Sequence, residues 1–123
     1  KCYTLKDGEK IEILEIKDNI SFVEINLKEQ IAFVEENAEG LQLLKMVNIN
    51  NFTEREYIVD EIVKDIYSNS KMVAINTSGQ VYFVKKNGSL KKKFITNSNI
   101  LDISMGDTVA AIIYKNRVEI LKM

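Results

Sequence analysis

Apolar residues fall in short runs along the chain, at 11–16, 20–25, 31–34, 41–47, 72–75, 81–84, 109–114 and 118–121. They are rich in Ile, Val, Phe and Tyr and are broken by Asn, Gly, Ser and Asp. Runs of four to seven β-branched and aromatic residues between turn formers predict β-strands. Several do not alternate apolar with polar, among them Met72-Val73-Ala74-Ile75 and Val81-Tyr82-Phe83-Val84. Such strands are buried on both faces, so the pattern predicts sheets stacked on sheets. Asp7-Gly8 and Asn87-Gly88 predict tight hairpins with positive φ at both central residues. Asn76-Thr77-Ser78-Gly79 and Lys115-Asn116 mark further turns. The segment 54–66 carries Tyr57, Ile58, Glu61, Ile62, Asp65 and Ile66 at near-helical spacing. A strand, a link and a second strand fit it better, because the internal repeat requires them.

That repeat has an offset of 37 residues. Asp65-Ile66 falls on Asp102-Ile103, and Met72-Val73-Ala74-Ile75 on Val109-Ala110-Ala111-Ile112. Gly79 falls on Asn116, and Val81–Lys85 on Val118–Lys122, with no gap. An offset of 80 places Tyr3, Lys6, Asp7 and Gly8 on Phe83, Lys86, Asn87 and Gly88. A weaker copy, Ile31-Ala32-Phe33-Val34 followed by Leu41-Gln42-Leu43-Leu44-Lys45, aligns on Ala74 at an offset of 42 and on Val81 at 40. Each repeat reads as four antiparallel strands joined by tight turns, with a period of about 40 residues. Mid-strand Ala74 and Ala111 are small enough for neighbouring sheets to approach closely.

The expected fold is therefore all-β, with repeated four-stranded antiparallel blades. The pattern Asp-Ile, Val-Ala-Ile-Asn-Thr-Ser-Gly-Gln-Val-Tyr-Phe-Val and Asn-Gly resembles repeats of the quinoprotein-like (PQQ-like) and WD-repeat-like β-propeller superfamily. It also resembles propeller-like proteins of low-GC Gram-positive bacteria that carry a membrane anchor. The resemblance implies an extracytoplasmic, cell-surface module that binds protein, a cytoplasmic scaffold being the alternative. The quinoprotein Trp motif and the Trp-Asp dipeptide are absent, so no cofactor site and no partner code follow from it. The expected organisation is a single repeat domain: a hairpin at 1–17, blades at 18–60 and 61–97, and a partial blade at 98–123. That count, about three blades, and an opening at Lys1 rather than Met suggest part of a longer chain. Two copies of about three blades would alternatively close a six-bladed ring.

Composition narrows the chemistry. Among 123 residues there are 17 Lys+Arg, 18 Asp+Glu, no His, no Trp and one Cys. A hydrophobic content of 46% suits a globular domain with a real core. A net charge of −1 argues against a general nucleic-acid or anionic-membrane binder. Without His there is no imidazole base or ligand. A lone Cys2 forms neither an intrachain disulfide nor a thiolate zinc site, and it reads as a packed thiol. No apolar run reaches the ~20 residues of a membrane-spanning helix.

The remaining candidates each have a plain structural role as well. Asp65 and Asp102 occupy equivalent positions. They would line a channel and bind a cation or polar ligand or act as catalytic acids, or bond backbone N–H groups at strand starts. Lys85, Lys86 and Lys91-Lys92-Lys93 form the dense basic patch, an anionic-polymer surface or a solvated sheet edge protected by lysine. Glu35-Glu36-Asn37-Ala38-Glu39 reads as a solvated turn without calcium-loop spacing. Asn-x-Ser/Thr triplets begin at Asn19, Asn51, Asn76 and Asn87 and follow from turn composition. No catalytic, metal or cofactor residue emerges. The function expected is a non-enzymatic binding or scaffold module with a protein partner or a second copy. The alternative is a fragment of a larger propeller enzyme or carbohydrate-recognition protein.

Overall fold

A computed structural model describes residues 2–6, 8–14, 19–96 and 98–123. Among them thirteen strands form: β1 Cys2–Lys6, β2 Glu9–Leu14, β3 Asn19–Glu24, β4 Gln30–Glu36, β5 Gln42–Asn48, β6 Glu54–Val59, β7 Asp65–Ser68, β8 Met72–Asn76, β9 Gln80–Lys85, β10 Leu90–Ile95, β11 Asp102–Met105, β12 Val109–Ile113 and β13 Val118–Lys122. All pair with antiparallel neighbours in sequence order. They make a β1–β2 hairpin, a first sheet β3–β6, a second sheet β7–β10 and a third sheet β11–β13. No helix occurs among the described residues. The segment 54–66 is β6, a turn and the start of β7, as the repeat required. Residue 7 and residues 15–18 lie outside the described residues, so the expectations for Asp7 and for the end of the first apolar run do too. The same holds for the side chain of Cys2.

Double-faced burial organises the stack. Every residue of β8 is buried, and so are Val81–Val84 of β9. Strand alternation sends Val73, Ile75, Tyr82 and Val84 to one side, where they meet Ala32, Val34, Leu44 and Met46 of the first sheet. Met72, Ala74, Val81 and Phe83 point the other way and meet Ile103, Ala110, Ile112 and Tyr114 around the third sheet. The second sheet is thus the middle layer of two cores. A β-bulge in β3, with Phe22 at φ 53, turns that ring onto the first core.

The β-propeller that the resemblance implies is not found. The sheets are separate and open, and none closes on itself. The quinoprotein-like, WD-repeat-like and membrane-anchored propeller resemblances are set aside with it. The physical reason is that short β-branched runs at a fixed period record strands and two-faced burial. They do not record how successive sheets are arranged in space.

Two finer expectations also change. Asn87-Gly88 does not make a two-residue turn with two positive φ values: only Gly88, at φ 88, lies in the left-handed region. The loop is closed by Lys85 N–H on the Ser89 carbonyl at 2.8 Å and Gly88 N–H on the Lys85 carbonyl at 2.9 Å. A Cβ at Gly88 would stand 3.0 Å from the Glu56 carbonyl oxygen, so the first sheet also requires glycine there. The weaker copy aligns differently as well. Ala32 pairs with Met46 as Ala74 pairs with Phe83, which makes Met46, not Leu43, the equivalent of Phe83. A longer β4–β5 hairpin absorbs the difference, because the turn sets strand register.

Between the second and third sheets the 37-residue offset holds in three dimensions. Asp65 pairs with Asn76 and Asp102 with Ile113, while Ala74 pairs with Phe83 and Ala111 with Ile120. The hairpins match too: Thr77 N–H bonds the Gln80 carbonyl and Tyr114 N–H the Arg117 carbonyl, both at 2.9 Å.

Candidate functional site

The repeat equivalence exposes an open surface. Shifted by 37 residues, the face of the second sheet that receives the third becomes Val109, Ala111, Val118 and Ile120. On the third sheet these point outward. Val109 is 40% exposed, Val118 58% and Ile120 60%, and Ala111 is half-buried. Ala74, by contrast, is fully buried between two sheets. The close-approach role expected of both alanines therefore holds at Ala74 only, and Ala110 supplies the small buried side chain on the third sheet. Strand β13 is the sheet edge, paired with β12 alone among the described residues. Its rim carries Arg117, which is bonded to Glu119 at 3.1 Å and stacked 3.9 Å over the Tyr114 ring.

Asp65 and Asp102 do not meet a partner base. Each opens its strand and accepts the N–H of the next residue, Ile66 or Ile103, at 2.8 Å. That is a strand-start bond repeated at the same offset. Nearby Tyr67 is pushed above the usual tyrosine range by burial first, then by the carboxylates of Asp65 and Asp102. No group of three or more metal-ligating side chains gathers among the described residues. The acidic segment at 35–39 is only in part a turn: Glu35 and Glu36 end β4, and from there Asn37 Oδ1 accepts the N–H groups of Glu39 and Leu41, both at 3.0 Å. Glu35 turns back to Lys45, 3.8 Å away, and Lys45 also reaches Glu56 at 3.2 Å. Burial lowers the Lys45 ammonium, but the carboxylates outweigh it and leave the group above its ordinary value. The Asn-x-Ser/Thr triplets are local structure: Asn51 and Asn87 accept from Thr53 and Ser89, and Asn76 is buried.

The sequence pattern missed a hub at Glu61, between β6 and β7. Its Oε1 accepts the Tyr82 hydroxyl and the Gln80 amide, both at 2.6 Å, and its Oε2 accepts Thr77 Oγ1 at 3.5 Å. Burial and then the Glu61 bond raise Tyr82 above the usual tyrosine range. The carboxylate locks the β8–β9 hairpin to the turn between β6 and β7, a long-range contact that no local spacing signals. Glu61→Ala leaves the buried Tyr82 hydroxyl without an acceptor and is expected to cost about 1–3 kcal/mol. In urea unfolding, adding Tyr82→Phe to that variant should cost little more, since the pair acts as one unit. Fully additive losses would refute the coupling.

The basic patch acquires a member and a shape. Lys71, Met72, Lys85, Lys86, Asn87 and Lys91 line a pocket of about 350 Å³ at the β9–β10 end of the second sheet. Strand β10 is a sheet edge, as expected for its lysine run. Lys93 leaves the group and lies 5.3 Å over the Tyr82 ring.

Comparison with known proteins shows fold and nothing more. No family model matches the sequence. No curated protein matches it either. The chain is similar in structure to the computationally designed Ika4 protein, with a TM-score of 0.69 at 10% identity, over 94% of this chain and 74% of that one. This neighbour is a designed protein, and it lends no support to the natural propeller families that the repeat resembles.

Proposed function

We propose that the chain is a non-enzymatic binding module whose partner is a second copy of itself, met at the outer face and edge of the third sheet. The observation that supports this is the register equivalence. Val109, Ala111, Val118 and Ile120 repeat the face on which the chain already stacks one of its own sheets. A face with that shape and spacing accepts a sheet of this protein, and another copy supplies one. Burying the exposed part of each of the three larger side chains contributes about 1 kcal/mol. Backbone pairing along the β13 edge adds about 1 kcal/mol net for each hydrogen bond formed.

Light scattering and sedimentation test the reading. The wild-type chain should run as a dimer or larger. The double variant Val118→Lys, Ile120→Lys should run as a monomer with an unchanged β-sheet circular dichroism spectrum, because both positions face solvent in the single chain. A monodisperse wild-type monomer at high micromolar concentration overturns it.

A further inference from the structure

The lysine pocket lies at the end of the second sheet, apart from the outer face of the third sheet, and its composition is unusual for this chain. Acidic and basic residues are nearly balanced, 18 against 17. Yet four of the pocket's six lining residues are lysines, and none is a carboxylate. Three other cations have internal partners: Lys45 has three glutamates, Arg117 has Glu119, and Lys93 has the Tyr82 ring. The ammonium groups of Lys71, Lys85 and Lys91 have no carboxylate within 4.0 Å among the described residues.

The lip of the pocket is held from outside. The Lys86 ammonium donates to the Lys28 carbonyl, and the Lys86 carbonyl accepts the Gln30 amide at 3.4 Å. Gly88 abuts the Glu56 carbonyl on the first sheet. Asn87 Oδ1 accepts Ser89 N–H at 3.0 Å, which sets the turn. Lys85 stands directly across from Met72 in the ladder, which brings Lys71, the residue before Met72, to the same end of the sheet. Buried Met72 floors the space between the lysine stems. Like charges gathered around a fixed, concave surface repel each other until a counter-ion enters, and among the described residues no carboxylate lines this one.

We propose that this pocket binds a compact anion carrying two or more closely spaced phosphate or sulfate groups. The oxyanions sit among the Lys71, Lys85 and Lys91 ammonium groups, each a rotatable three-proton donor. The apolar floor takes no part in charge recognition. The site is too local for a long nucleic-acid track, and a chain of net charge −1 does not steer one.

Titration of the full chain with inorganic pyrophosphate and, separately, with a multiply sulfated disaccharide tests this, read by calorimetry and by backbone amide NMR shifts. Saturable binding should move the amides of Lys71, Lys85, Asn87 and Lys91. The affinity should fall severalfold as salt rises, because the contacts are ionic. The variant Lys71→Gln, Lys85→Gln, Lys91→Gln should bind at least about tenfold more weakly. The control Lys64→Gln, Lys115→Gln, at exposed positions away from the pocket and outside β13, should bind like wild type. Binding of one probe alone supports the site and identifies whether phosphate or sulfate is its source. No saturable binding of either, or equal losses in the pocket variant and the control, overturns it.

Discussion

Phe83→Ala should lower the stability of the isolated domain by about 3–5 kcal/mol, read as a drop in the urea midpoint at constant slope. Phe83 is fully buried on the face of the second sheet that meets the third. Its ring sits between Ala74 across the ladder and the branched residues Ile103 and Ile112 of the facing sheet. Strands on both sides are held by backbone ladders, so the layers cannot collapse far into the space left by the ring. A domain this small has roughly 5–15 kcal/mol in total, so the variant approaches the limit of folding. Phe94→Ala is the internal comparison. Phe94 packs against the same core from edge strand β10 and is only half-buried. Its loss should cost clearly less, about 1–2 kcal/mol. Equal effects would mean that the second and third sheets are not packed through Phe83.

The second large effect comes from a pair of alanines that the repeat makes equivalent. Ala74→Leu should destabilise by about 1–3 kcal/mol or prevent folding, since the added carbons have no room between two sheets. Ala111→Leu should change the stability of the monomer by less than about 0.5 kcal/mol. Ala111 faces outward beside Val109, Val118 and Ile120, where a larger side chain meets solvent. The contrast is measured by thermal and urea unfolding at concentrations low enough to keep the chain monomeric. A large penalty at Ala111 under those conditions would show that its face is covered within the single chain.

Much of the architecture was readable in the residues. The unbroken apolar stretches Met72–Ile75 and Val81–Val84 required two-faced burial, and they lie in the middle layer. The 37-residue offset survives as matched ladder registers, because a gapless repeat carries both hairpin length and side-chain alternation with it. Asp65 and Asp102 took the structural option, each bonding the next backbone N–H. Where a turn changed length the pattern failed: the weaker copy was misaligned across the β4–β5 hairpin, since a few added turn residues alter register without altering composition. Glu61 gave no signal at all, because its acceptors' partners lie 16 to 21 residues further on. The pocket was half visible, as a lysine run on an edge strand; Lys71 joins it only through the β8–β9 pairing.

Local order, strand content and the internal period were thus properties of the sequence itself, since period-two alternation and turn chemistry act between near neighbours. The arrangement of the sheets was not, and the propeller expectation failed on that point. Identical strand patterns serve any architecture that buries both faces of a sheet. Tertiary structure alone decided which alanine is enclosed and which is exposed, where four lysines gather around a pocket that no carboxylate lines among the described residues, and which apolar face is left open. Each of these depends on what lies across a sheet interface, and the residues that meet there are far apart along the chain.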